Sequence, residues 1–208
     1  MLKLYYAPGT CALASHIALE EAGAAYTTER LDFKKNQQNS PEYLEINPKG
    51  RVPALVTDRG KLTETPAMLA FIAQSFPKAE LAPLEDPYAF AQVQAFNSYL
   101  CATVHVAHAH KMRGARWATE ETTFADMKRM VPKTVGACFA LIERDMLKGP
   151  WVMGERYTIC DPYLFTLAGW LEGDSVDIAT LPKVADHRKR MAERPAVRKV
   201  LAEEQAPA

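Results

Sequence analysis

The sequence predicts an α/β layer with a mixed sheet, followed by an all-helical half. Three observations predict it. Short apolar runs and helical periods alternate through the first part of the chain. The proline-punctuated stretch Pro77–Pro87 is the one good linker. From Tyr88 onward strand signals vanish and long helical periods take over.

The elements follow in order. Leu2–Tyr6 is an apolar and aromatic run ended by Pro8-Gly9, a strand and then a turn. Thr10–Ala22 carries Ala and Leu at helical spacing and is closed by Gly23 in a C-cap position. Tyr26–Leu31 reads as a second strand, and the polar stretch Lys34–Ser40 leads to a short helix from Pro41. Val52–Thr57 is a strand, Arg59-Gly60 a turn and Lys61–Thr63 a return strand. Thr65–Phe76 is helical, with Pro66 where a first-turn proline is tolerated. Further helices are expected over roughly Tyr88–Met112, Thr119–Leu147, Asp161–Glu172, Lys183–Arg194 and Pro195–Glu203. Thr158-Ile159-Cys160-Asp161 has the form of a capping box ahead of an apolar run. The domain boundaries expected from this pattern are residues 1–78 and 87–208.

Composition narrows the function. The chain has 208 residues, 48% of them hydrophobic and 24% charged, enough for a packed core and too little charge for wholesale disorder. Lys+Arg number 25 and Asp+Glu number 25, so no basic excess speaks for nucleic acid or an anionic membrane as partner. No apolar run reaches membrane-spanning length, and MLKLYYAPGT lacks the features of a secretory signal. The expectation is a cytoplasmic protein. Cys11, Cys101, Cys138 and Cys160 are scattered, without zinc-ligand or disulfide-framework spacing. Three of them lie in apolar helical context, where a free cysteine behaves as a small hydrophobe.

Cys11 differs, because it follows Pro8-Gly9-Thr10 at the start of a helix. Unpaired N–H groups and the helix dipole favour an anion there, whether its own thiolate or that of a bound thiol ligand. Lowering a thiol from a pKa of about 8.5 to about 6.5 takes about 2.7 kcal/mol, more than a helix start alone supplies, so a second donor is expected. Cys11-Ala12-Leu13-Ala14 is a CxxC with its second cysteine replaced, which removes a local two-cysteine redox cycle and leaves a mixed disulfide open. Asn47–Leu55 holds Val52-Pro53 at a strand entrance, where a cis bond would expose the backbone of Val52 to a ligand. Leu62-Thr63-Glu64-Thr65-Pro66 sets a carboxylate and a hydroxyl at a helix start, suited to both ends of an amino acid.

Taken together, Tyr6–Ile17, Asn47–Leu55 and Leu62–Thr65 resemble the glutathione transferases, nearest the bacterial beta class with its YxPGxCSxxxHI, NPxGxVPaL and LTES pattern. The resemblance covers essentially the whole chain. It implies a thioredoxin-like N-terminal domain with a cis Pro53, an all-α C-terminal domain, and glutathione as co-substrate with no further cofactor. It implies glutathione held along Arg51, Val52 and Pro53, with Glu64 and Thr65 at the γ-glutamyl end and Lys34 or Lys35 at the glycyl carboxylate, Lys35 being the choice. Cys11 matches the cysteine at the glutathione sulfur. Ala12 stands where the family often has a serine, and Thr65 replaces the usual serine while keeping the hydroxyl.

In the helical half, His105 matches the beta-class histidine facing the sulfur. His105, His108 and His110 form H-x-x-H-x-H, but His110 points away from the face the first two share, so no metal site is expected. His108, Met112 and Trp117 are expected to line the electrophile pocket. Tyr6, at the end of the first strand, is the alternative catalytic hydroxyl. The resulting reading is a cytosolic, homodimeric beta-type transferase for detoxification, joining the glutathione thiol to hydrophobic electrophiles or exchanging it with disulfides. A glutathione-dependent isomerase or reductase, or a low-turnover carrier of hydrophobic ligands, is the alternative.

Overall fold

The computed structural model describes residues 1–206. Four strands form one sheet: β1 (Leu2–Tyr6), β2 (Tyr26–Arg30), β3 (Ala54–Thr57) and β4 (Gly60–Thr63), in the order β2-β1-β3-β4. β1 pairs parallel with β2 and antiparallel with β3, and β3 pairs antiparallel with β4. The strand period of two sorts β1 into two faces. Leu4 and Tyr6 are buried, and the Tyr6 ring lies 5.3 Å from that of His16 on α1 (Ala12–Glu21). Tyr5 turns the other way, to Tyr43 on the short helix α2 (Pro41–Ile46), with ring centroids 5.6 Å apart. α3 (Thr65–Ser75) completes this half and packs beside α1.

Local chemistry sets these boundaries. Ser40 accepts a hydrogen bond from the Tyr43 N–H at 3.2 Å, and Pro41 occupies the first helical position of α2. Gly23 sits at φ +63 just past α1, as its place in the sequence predicts. Gly50 also has positive φ, +60, and a Cβ there would lie 2.6 Å from Asn39 Oδ1, so the turn into Val52 requires glycine.

Beyond the linker the described residues form helices and loops, with one isolated bridge between Trp151 and Gly154. α4 (Pro87–Tyr99) is capped by Asp86, whose carboxylate accepts from the Tyr88 and Ala89 N–H groups at 2.9 and 3.1 Å. It continues through a π-helical turn, Leu100–Val104, into α5 (His105–Ala109). The sequence suggests one helix to Met112; the structure widens it just before His105 and ends it three residues earlier. Then come α6 (Glu121–Leu141), α7 (Cys160–Ala168), α8 (Pro182–Glu193) and α9 (Pro195–Gln205).

α7 is buried along its whole length. Its capping box forms as the sequence predicts: Thr158 Oγ1 accepts from Cys160 N–H at 3.3 Å, and Asp161 accepts from Thr158 N–H at 2.7 Å. Asp161 also accepts from Val152 N–H and bonds His187 Nε2, so this buried carboxylate is fully used. α7 stops at Ala168, where the sequence suggests Glu172; the chain leaves the helix at Gly169, and this frees Trp170.

The halves are sewn together around α1. α7 and α9 pack on it, Arg194 forks onto Glu21 at 2.5 and 2.7 Å, and Lys199 reaches Glu20 at 2.8 Å. One hydrophobic cluster runs from Leu4 and Leu55 in the sheet to Phe139 and Leu164 in the helices. No helix among the described residues is long and apolar enough to cross a membrane.

Candidate active site

The site begins at the turn after β1. Gly9 takes φ +72, and the Thr10 hydroxyl donates to the Ala7 carbonyl at 2.7 Å while accepting from Ala12 N–H at 3.3 Å. Cys11 is thereby fixed at the cap position of α1, half-buried, with its thiol 3.6 Å from the Val52 carbonyl oxygen. Burial pushes this thiol up to about 11; the Thr65 hydroxyl opposes the shift, and Cys101 and Glu64 add to it. The thiolate expected from a helix start is therefore not formed in the free protein. The helix N-terminus is present, but desolvation outweighs it and the charge of Glu64 acts against it too.

Val52 precedes the cis Pro53, as the sequence suggests. Its segment is held by two donors to the Arg51 carbonyl, the Tyr43 hydroxyl and Asn47 Nδ2, each at 2.6 Å. Val52 is buried, its carbonyl takes the Cys11 thiol, and its N–H has no partner among the described residues. An unpaired buried N–H costs free energy and invites an acceptor.

Glu64 sits at φ +73, a strained conformation for a residue with a side chain. It stands immediately before α3, whose first-turn N–H groups lack intrahelical partners. Lys49 Nζ lies 2.5 Å from Glu64 Oε1 and 2.7 Å from Thr63 Oγ1, so an ammonium already occupies the carboxylate. Thr65 is buried beside Cys11.

The helical half closes over this surface. Trp170 Nε1 donates to the Gly9 carbonyl at 3.2 Å. The same indole meets His105 edge-on at 5.1 Å and stacks on His108 at 4.3 Å. Burial lowers the His105 imidazole to about 4, helped by the charges of His108, Arg116 and Arg51 and opposed by Glu64. His105 is thus a neutral donor near neutral pH, ringed by charges from both halves. Burial raises the Tyr163 hydroxyl, which faces Cys11, Cys101 and Glu64.

Comparison with known proteins agrees with this geometry. Residues 1–74 match the family model for the glutathione S-transferase N-terminal domain, and residues 108–204 that for the C-terminal domain. The glutathione S-transferase GstA of Escherichia coli O157:H7 is 34% identical over 98% of this chain and 98% of its own. A glutathione transferase homologue from Sulfitobacter, solved with bound glutathione, has a TM-score of 0.95 and 47% identity over 99% of both chains. The beta-class enzyme of Sphingomonas chungbukensis superposes with a TM-score of 0.86 at 30% identity over 98% of each. The chain belongs to the glutathione S-transferase family. Its fold is the thioredoxin-like sheet plus helical domain of that family, its co-substrate is glutathione, and its chemistry is conjugation or exchange of the glutathione thiol.

In this transferase the structure brings together Cys11, Val52, Pro53, Glu64, Thr65 and His105, with Arg51 close enough to bias His105. Other expected residues lie apart. Tyr6 is 5% exposed and packed on His16; burial raises its hydroxyl, which senses Glu204 on α9. Its alternation along β1 turns it into the core, which corrects its candidacy as a catalytic group. Lys35 is 77% exposed and 3.9 Å from Asp32. Met112 is 78% exposed and Trp117 rests edge-on against His110 at 4.5 Å, so the apolar pocket wall expected of them does not form in this chain. The early end of α5 puts both in the following loop. A cavity of about 590 Å³ opens elsewhere, lined by Leu13, Phe165, Trp170, Ile178 and Arg188. The His108 ring is held by Asp174 and Trp170.

Sequence reading missed Lys49, Cys101, Arg116, Tyr163 and Trp170. Lys49 was legible: it lies within Asn47–Leu55 and a cation opposite Glu64 needed only the β3–β4 hairpin. Trp170 had no local signal, since its partner Gly9 is 161 residues away.

Proposed function

We propose that this is a beta-type glutathione transferase, a cytoplasmic homodimer that detoxifies small hydrophobic electrophiles. Residues 1–78 bind glutathione and residues 87–208 bind the electrophile. The observation that carries the reading is the unpaired N–H of Val52 beside the Cys11 thiol and the open start of α3. Glutathione lies extended over that edge. Its cysteinyl backbone pairs with Val52, its ammonium takes the place of Lys49 on Glu64, and its γ-glutamyl carboxylate meets Thr65 and the α3 N-terminus. Lys35, free to swing from its long contact with Asp32, and Arg51 answer the glycyl carboxylate.

Pairing of the ligand N–H with the Val52 carbonyl releases the Cys11 S–H, which turns to the glutathione sulfur as a neutral donor. His105 adds a second neutral donor, and Arg51 and Arg116 add positive charge around it. The sulfur anion is stabilised by groups arranged before it forms, and the electrophile is held beside it. Burial holds the Cys11 thiol up at about 11, which disfavours its own thiolate and supports conjugation over exchange through Cys11. Exchange is the second reading, favoured by the disulfide-bond oxidoreductase YfcG of Escherichia coli K12, 26% identical over 97% of this chain and 94% of its own. Turnover of chlorodinitrobenzene against reduction of a mixed disulfide separates them. Conjugation that persists in Cys11→Ala, with little disulfide reduction in the wild type, supports the first; the reverse pattern supports the second.

A further inference from the structure

His108 and Asp174 form a pair that the conjugation scheme leaves unused. His108 Nδ1 lies 2.6 Å from Asp174 Oδ2. The carboxylate is almost fully buried, 1% exposed against 28% for the imidazole. Asp174 is held by its own backbone, its N–H donating to the Trp170 carbonyl at 2.9 Å, and Lys111 Nζ lies 3.5 Å from its other oxygen. An ionised carboxylate can only accept, so it fixes the proton on Nδ1 and leaves the Nε2 lone pair available. Nε2 has no hydrogen-bond partner among the described residues, and it is not among the sealed, partnerless atoms as His16 Nε2 is. Trp170 clamps the ring in a stack at 4.3 Å and bonds the Gly9 carbonyl, two residues before Cys11. The imidazole is therefore fixed in tautomer and plane, one helical turn from His105, with centroids 6.4 Å apart.

We infer that His108, positioned by Asp174, is a proton-transfer residue for additions of glutathione to activated double bonds, a role that rests on the glutathione site proposed above. Displacement of a halide from an aromatic ring needs a thiolate but no proton for the product. Addition to an α,β-unsaturated ketone needs both. The glutathione thiol proton passes to Nε2. The sulfur electron pair forms the C–S bond at the β-carbon, and the double-bond pair moves into the enolate. Nε2–H then protonates the α-carbon, and the imidazole returns to its neutral form. One S–H and one C=C are consumed, one C–S and one C–H are made, and no proton is gained or lost. Asp174 balances the transient imidazolium. His105 cannot take this part, because at about 4 it does not hold a proton near neutrality. The charged groups around the pair are Lys111 on its own helix and loop, Asp174 from beyond α7, and Arg116, Arg51 and Glu64 around the neighbouring His105.

The test compares benzylideneacetone with chlorodinitrobenzene in the wild type, His108→Gln and Asp174→Asn, with glutathione affinity measured by calorimetry on each. His108→Gln should lower turnover of the enone at least about tenfold more than that of the aryl halide. Asp174→Asn should lower the enone rate selectively too, by releasing the tautomer. If Asp174→Asn fails to fold, the enone-to-halide rate ratio of His108→Gln carries the test. Equal losses on both substrates in a variant that still binds glutathione would overturn the assignment of His108. Absence of glutathione binding in the wild type would instead overturn the site on which it rests.

Discussion

The two halves of this transferase contribute to the site in different ways. The sheet half offers backbone and short side chains at places where the chain is forced out of regular structure: the cis bond at Val52-Pro53, Gly50 at φ +60 and Glu64 at φ +73. The helical half offers rings and charge: His105 and His108 on α5, Arg116 in the loop after it, and Trp170 just past α7. The difference teaches that recognition of glutathione and activation of its sulfur are separable here. The first is a matter of fixed backbone geometry, the second of how one half is packed against the other.

The largest effect should come from breaking recognition. Glu64→Ala removes a charge-assisted contact worth roughly 1.5–3 kcal/mol, so calorimetry should show glutathione binding about tenfold to a hundredfold weaker. An affinity within about twofold of wild type would mean that Lys49 keeps Glu64 from the ligand. Next is activation. His105→Ala should lower conjugation turnover by about one to two orders of magnitude, while Tyr6→Phe, a change in the core, should cost less than about fivefold. A crippled Tyr6→Phe beside a near-normal His105→Ala would reverse the roles.

How much of this was legible follows the same division. The N-terminal site residues announce themselves because unusual backbone needs unusual sequence: Pro8-Gly9, Gly50 with Val52-Pro53, and Glu64-Thr65-Pro66 are all local patterns. The strands and helices were legible for the same reason, through turn residues, Pro41, Gly23 and the Thr158–Asp161 box. What escaped is what packing decides. The thiol of Cys11 rises because packing removes its water, and no pattern around Cys11 says so. Tyr6 turns into the core through the alternation along β1, and Met112 falls in a loop because α5 ends at Ala109. Trp170 is invisible until the halves meet.

Two smaller effects sharpen the comparison. His105 is neutral when folded, at about 4, and titrates at its ordinary 6.5 when unfolded. The unfolded state therefore binds more protons between those values, and stability should fall as pH drops from about 6.5 towards 4, by at most about 3 kcal/mol. Denaturant melts of wild type and His105→Gln should show this part of the acid loss only in the wild type; equal losses would place His105 in a wetter setting. Cys11, in contrast, should alkylate slowly near neutrality, its rate still climbing above about pH 9. Peptide mapping after timed iodoacetamide treatment checks it, and a plateau below about pH 8 would restore the thiolate the helix start suggests.

The most direct test of the division between recognition and activation is an ultraviolet titration of the glutathione thiol bound to wild type and to His105→Ala, with affinities measured near pH 6, where the thiol is protonated. In the wild type the bound thiol should ionise well below the ordinary thiol value of about 8.5, and in His105→Ala about one unit higher than in the wild type, with affinity for the protonated ligand within about threefold. A variant that binds glutathione tenfold more weakly while its bound thiol ionises as in the wild type would contradict the separation, and would make His105 part of the binding surface.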